Sequence, residues 1–136
     1  MIKPKGMFKF FKNKVSDNPD IVNEPLLKEF ARNRPSKKEH PLCQAPFTSM
    51  LFIQSGDIKT CHYNRGYTLG HYPESSIHEI WFGESLKKLK EHIINCNLSL
   101  GCHDCQKNLF KRNFYSVGAA RYDYLADYEK SHDFPV

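Results

Sequence analysis

LCQAPFTSMLFIQSGDIKTC, from Leu42 to Cys61, decides how this chain is read. Thr48 to Ile53 is rich in apolar and β-branched residues, which predicts a strand. Gln54-Ser55-Gly56-Asp57 has the composition of a tight turn, with Gly56 supplying positive φ. Ile58 to Tyr63 is the predicted return strand. Antiparallel strands of equal length bring their outer ends together. Cys43 precedes the first strand and Cys61 falls near the end of the second, so a hairpin would deliver both thiols to its open end.

A second pair of thiols stands in Gly101-Cys102-His103-Asp104-Cys105. A C-x-x-C turn puts two sulfurs close enough to serve one metal centre. Gly101 allows the tight entry. Four thiolates from two local elements make a closed, soft-donor site. Such a site suits zinc or an iron–sulfur cluster, and not magnesium or calcium.

The intervening residues read as support. Tyr63 to Pro73 reads as a loop. Ser76 with Glu79 three residues later forms a capping box. Ile77, Ile80 and Trp81 are the expected buried stripe of a short helix that Gly83 ends. A second helix is expected from Glu84 to Asn95. Leu86, Leu89, Ile93 and Ile94 keep helical spacing there, and Lys87, Lys88, Lys90 and Glu91 take the solvent side. That helix returns the chain to the second cysteine pair.

The combined order of motifs resembles the SPASM and twitch domains, the auxiliary iron–sulfur domains of radical S-adenosylmethionine (radical SAM) enzymes. Cys43, twelve residues, Gly56, four residues and Cys61 resemble the family's opening C-x(9–15)-G-x4-C. The likeness runs through Leu69-Gly70, Ser76 to Trp81 and Leu86 to Leu89, and ends on Gly101-Cys102-x-x-Cys105. The full SPASM pattern carries seven cysteines for two clusters. This chain has five cysteines, which is closer to the twitch-like form with a single 4Fe–4S cluster. The resemblance implies Cys43, Cys61, Cys102 and Cys105 as the cluster ligands.

Cys96, at the end of a predicted helix, would overfill a four-coordinate site and is read as a non-ligand. An exchange ligand or a second, partial site is the alternative. His62 and His103 adjoin ligand cysteines. Either could ligate iron, but four thiolates already complete a site, so they are read as its neighbours or as surface groups. The chain contains no nucleophile elbow, no phosphate loop and no paired carboxylates at catalytic spacing.

The rest of the chain sets bounds. Its 136 residues bound it to one domain with a modest core. The formal charge of +5 is spread over scattered lysines, which argues for a solvated basic surface and against nucleic-acid binding. No stretch is long enough to span a membrane and no signal peptide is visible, so the expected compartment is the reducing cytoplasm. Met1 to Lys14 is read as a flank or poorly ordered start rather than a surface helix, and Asp17 to Pro25 as linker. Leu26 to Asn33 is expected to be a short helix with Leu26, Leu27 and Phe30 on one side. Arg34 to Pro41 is a polar lead-in.

In the tail, Tyr115, Tyr122, Tyr124, Leu125 and Tyr128 suggest a helix packed against a neighbour. The fold expected is small α+β: a two-stranded hairpin, short helices, a cysteine-pair turn and a C-terminal helix. The organisation expected is an extension and linker over 1–41, the iron–sulfur domain over 42–105, and a tail over 106–136. In the proteins this chain resembles, such a tail leads into a radical SAM core whose C-x3-C-x2-C motif holds S-adenosylmethionine; that motif is absent here. The resemblance therefore implies an auxiliary domain that is not catalytic alone. It would pass electrons or help hold a peptide or small-molecule substrate, and S-adenosylmethionine would enter only through a separate or missing core domain. The alternative from chemistry alone is a structural zinc module that mediates protein contacts.

Overall fold

The hairpin forms where the sequence places it, but it is shorter than expected and gains a third strand. In the computed structural model, which describes residues 18–124, β1 (Leu51–Phe52) pairs antiparallel with β2 (Asp57–Lys59) through Leu51 with Lys59 and Phe52 with Ile58. The turn closes with the Gly56 amide donating to the Ile53 carbonyl at 2.8 Å. β3 (Gly70–His71) adds to the other side of β2, so part of the expected 63–73 loop is a strand. Ile58 on the central strand is wholly buried.

The start of the expected first strand is helical instead. A short helix, Ala45–Thr48, occupies it, with a proline in its first turn and the Ser49 amide bonded back to the Ala45 carbonyl. It is α2 in chain order, after α1 (Glu24–Asn33). Pro46 carries the fixed φ that a first helical turn needs, and it cannot donate to a strand ladder. The local bias of proline therefore wins over the β-propensity of Thr48.

The two central helices follow their capping and periodicity. α3 (Ile77–Trp81) begins at Ser76, whose hydroxyl accepts from the Glu79 amide at 3.0 Å while the Glu79 carboxylate accepts from the Ser76 amide at 2.7 Å. Of the expected stripe only Ile80 is buried; Ile77 is exposed, because a five-residue helix presents little more than one inward position. α4 (Glu84–Ile94) buries Leu86, Leu89 and Ile93, and leaves Ile94 outside that face. Lys90 is partly covered, with its ammonium over the rings of Trp81 and Phe47. α4 ends in a Schellman motif: the Cys96 amide donates to the Ile93 carbonyl and the Asn97 amide to the His92 carbonyl. Cys96 itself adopts the left-handed φ of 57° that this ending requires.

The flanks belong to the same core. α1 buries Leu26, Leu27 and Phe30, as its spacing predicts; each such side chain contributes roughly 1.5–3 kcal/mol. These residues join one apolar cluster with Leu42, Ile58, Leu86, Leu89, Ile93, Leu109 and Val117. Ahead of α1, the Val22 amide bonds to the Cys96 carbonyl and the Leu98 amide to the Asp20 carbonyl. α5 (His103–Phe110) starts inside the second cysteine pair, and a 3₁₀ turn follows at Phe114–Ser116. Helical backbone resumes at 119 and continues to 124. Tyr115 is 94% exposed, so the expected tyrosine stripe does not pack as one face. The readings of 1–14, of Leu125 and Tyr128, and of the chain end lie outside the described residues.

One ion pair locks the flanks to the lead-in. Arg34, just past α1, and Asp123 are both almost wholly buried. Arg34 Nε and Nη2 donate to the two Asp123 carboxylate oxygens at 2.8 Å each. Its Nη1 donates to the carbonyls of Lys38 and Pro41, both at 3.1 Å. A residue read as polar lead-in is thus the clamp that shapes the loop delivering Leu42 and Cys43. Removing one partner of a buried pair strands the other charge. Asp123→Ala is expected to cost about 3–5 kcal/mol in urea unfolding. The double change Arg34→Met with Asp123→Leu is expected to recover most of that loss.

Candidate metal centre

Cys43, Cys61, Cys102 and Cys105 line one internal cavity. Cys43 enters from the clamped loop before α2, and Cys61 from two residues past β2. Cys102 caps α5, and Cys105 sits in its first turn, three residues on and so on the same helix face. The gathering works although both strands are short, because α2 and the residues after β2 close the distance that longer strands were expected to span. Gly101, at φ 80°, lets the chain turn into the second pair.

The wall around the sulfurs is apolar, with Leu42, Pro46, Ile93, Leu98, Leu109 and Val117 among the lining residues and no lysine or arginine. Burial therefore pushes every one of these thiols up. Cys43 is raised well above its ordinary value, and Cys61 is raised as well. Cys102 is pushed up to about 12 and Cys105 to about 11. Negative charge on neighbouring cysteines adds to the effect at Cys43, Cys102 and Cys105. Thiols in that state are poor nucleophiles. They become thiolates when a bound cation supplies the missing positive charge.

Hydrogen-bond donors already face the sulfurs. The Ala45 amide reaches Cys43 Sγ at 3.4 Å, and Asn64 Nδ2 reaches Cys102 Sγ at 3.4 Å. The amides of Tyr63 and Asn64 act on Cys61, and those of Gly118 and Ala119 on Cys105. Each of the four thiols thus has at least one N–H aimed at it, an arrangement that favours the deprotonated form. Thr60 Oγ1, buried in the same lining, has no partner among the described residues. A soft, sulfur-only ligand set and an orphaned hydroxyl beside it fit a sulfur-ligated metal centre.

The stretch that carries this geometry also matches a known family model. Residues 43–106, just under half of the chain, correspond to SPASM, an iron–sulfur cluster-binding domain. Neither curated proteins nor solved structures give a significant match to the chain.

The other sequence candidates lie elsewhere. Cys96 is buried outside the cavity, with its Sγ 3.9 Å from His40 Nδ1; burial pushes it to about 11. His62 and His103 are exposed, and neither lines the cavity. Asp104 pairs across the surface with Arg65 at 3.7 Å rather than with His103.

Several contributors to the thiol site have little or no signature in the sequence. Asn64 is 1% exposed; it ties Leu100 O, Cys102 Sγ and the Tyr67 amide together. A polar turn residue three positions after Cys61 is the available signal. Thr60 leaves no signal, since a threonine at a strand end is ordinary. The Gly118 and Ala119 amides lie beyond the matched stretch, and only folding brings them to Cys105. Tyr122, also in the tail, accepts from the His62 backbone amide and is pushed up to about 12 by burial and by its nearness to Cys61 and Cys43.

Gly118 is a point where backbone and ring meet. A Cβ there would overlap the ring of Tyr63, whose Cε2 would lie only 2.8 Å away. Overpacking of this kind costs about 1–3 kcal/mol. Gly118→Ala is expected to lower thermal stability by that amount and to reduce metal retention on gel filtration, because the Tyr63 and Gly118 amides both face cavity cysteines. Unchanged stability would mean that the ring yields freely.

Proposed function

We propose that Cys43, Cys61, Cys102 and Cys105 hold one 4Fe–4S cluster, and that the chain serves radical SAM chemistry as an auxiliary domain. The observation that carries this reading is the meeting of four thiols from distant parts of the sequence around one apolar cavity, inside a stretch that matches a cluster-binding family. SPASM domains occur with radical SAM cores. The partner proposed is such a core, in the same longer chain or in a separate protein.

Support for a cluster over a single zinc ion comes from the match of the stretch that carries the four thiols to a cluster-binding family. A cluster bound there supplies an electron relay or a docking point for a peptide or small-molecule substrate. The chain's own residues would fix its environment: apolar walls exclude water, and the N–H groups around the sulfurs stabilise negative charge.

We take 42–105 as the cluster-binding unit, 1–41 as its extension and linker, and 106–136 as a tail toward the core domain. All five cysteines are free, which suits a reducing compartment such as the cytoplasm. No helix among the described residues is long and apolar enough to cross a membrane.

Anaerobically purified protein is expected to be brown, with iron and sulfide near four each per chain, as a single 4Fe–4S cluster requires. Single Cys→Ser changes at Cys43, Cys61, Cys102 and Cys105 are each expected to lose most of the iron, and Cys96→Ser to keep it. Colourless protein with one zinc per chain would overturn the reading in favour of a structural zinc module.

A second measurement addresses catalysis. Four cysteine ligands leave no iron open to S-adenosylmethionine. The loaded chain, given dithionite and S-adenosylmethionine, is expected to form no 5′-deoxyadenosine. Product formation that Cys43→Ser abolishes would make the centre a catalytic one.

A further inference from the structure

Among the described residues, Thr60 Oγ1 is the buried side-chain oxygen or nitrogen that has no hydrogen-bond partner. Thr60 is 3% exposed, follows directly on β2, precedes Cys61 and lines the cavity of the four thiols. Leaving a buried hydroxyl unpaired costs about 1–3 kcal/mol. Valine would fill the same volume without that cost. Among the described residues nothing answers the hydroxyl: the lining is dominated by aliphatic side chains and sulfurs, and no cysteine sulfur is bonded to it. A single zinc ion bound by four thiolates would bring no acceptor of its own. An iron–sulfur cluster brings bridging sulfides, which accept hydrogen bonds.

We propose that Thr60 is a tuning residue whose hydroxyl donates to a sulfide of the cluster and raises its reduction potential. The inference rests on the reading that the four thiols hold such a cluster. The physical cause is electrostatic. An electron added to the cluster increases the negative charge on its sulfurs, and a fixed O–H dipole aimed at one of them stabilises the reduced state more than the oxidised one. The backbone donors to the cysteine sulfurs act in the same direction, but they cannot be removed by changing a side chain. The Thr60 hydroxyl can.

The test uses the full chain, loaded anaerobically with iron and sulfide, as wild type, Thr60→Val and Thr60→Ser. Iron and sulfide analysis comes first. If the wild type takes up zinc and no iron–sulfur cluster, the cluster reading itself falls, and this inference falls with it. With clusters in place, Thr60→Val is expected to shift the ratio of reduced to oxidised protein about tenfold toward oxidised at a fixed applied potential, about 59 mV for a one-electron couple. Thr60→Ser, which keeps the hydroxyl, is expected to stay near the wild type. In the metal-free protein the order should reverse its sense, with Thr60→Val at least as stable to urea as the wild type. An unchanged potential in fully loaded Thr60→Val would overturn the inference and leave an ordered water as the hydroxyl's partner. So would a Thr60→Ser shift as large as that of valine. If Thr60→Val does not load, Thr60→Ala against Thr60→Ser decides by the same rule.

Discussion

Four sulfurs must meet in a place that water does not reach, and the rest of the structure follows from that constraint. Thiolates repel one another and are poorly solvated by aliphatic walls. Their ordinary state in such a place is protonated, which is how burial leaves Cys102 and Cys105 here. The protein offsets part of this cost with backbone and amide N–H groups directed at the sulfurs. A bound cation would offset the remainder, as the proposed cluster does. Raised thiols of this kind are poor nucleophiles.

Holding the sulfurs in position requires elements from both sides of residues 43–106. The Arg34 guanidinium orders the loop before Cys43 through the Lys38 and Pro41 carbonyls, and Asp123 holds the guanidinium. Gly118, Ala119 and Tyr122, from the segment that carries Asp123, stand against Cys105 and Cys61. One buried ion pair thus connects the approach to the first cavity cysteine with the segment that covers the last. Buried pairs of this kind are weak sources of net stability but strong determinants of geometry, because neither charge tolerates the loss of the other.

Cys96 illustrates how chemistry and position separate. It has the same thiol and a comparable burial, yet it faces His40 rather than the cavity. Its backbone serves the fold by ending α4 in a left-handed turn and accepting a bond from the Val22 amide. That ending sends the chain back across the segment at 20–22 before it reaches Cys102.

Much of the local architecture is written in short-range pattern. The Ser76–Glu79 capping box, the apolar spacing of α1 and α4, the turn at Gly56 and the paired cysteines are each legible because the interactions that fix them lie within a few residues. Even there, local rules compete, and the helix that Pro46 begins takes in Thr48, where β-propensity predicts the start of a strand. What the sequence could not specify is what lies across the fold from what. The meeting of Arg34 with Asp123, the amides of Gly118 and Ala119 against Cys105, and the unpaired hydroxyl of Thr60 join or expose groups far apart in the chain. A one-dimensional pattern carries the chemical types of those groups. Only packing decides which of them share a buried space, and in a buried space a missing or present hydrogen-bond partner sets the energetics.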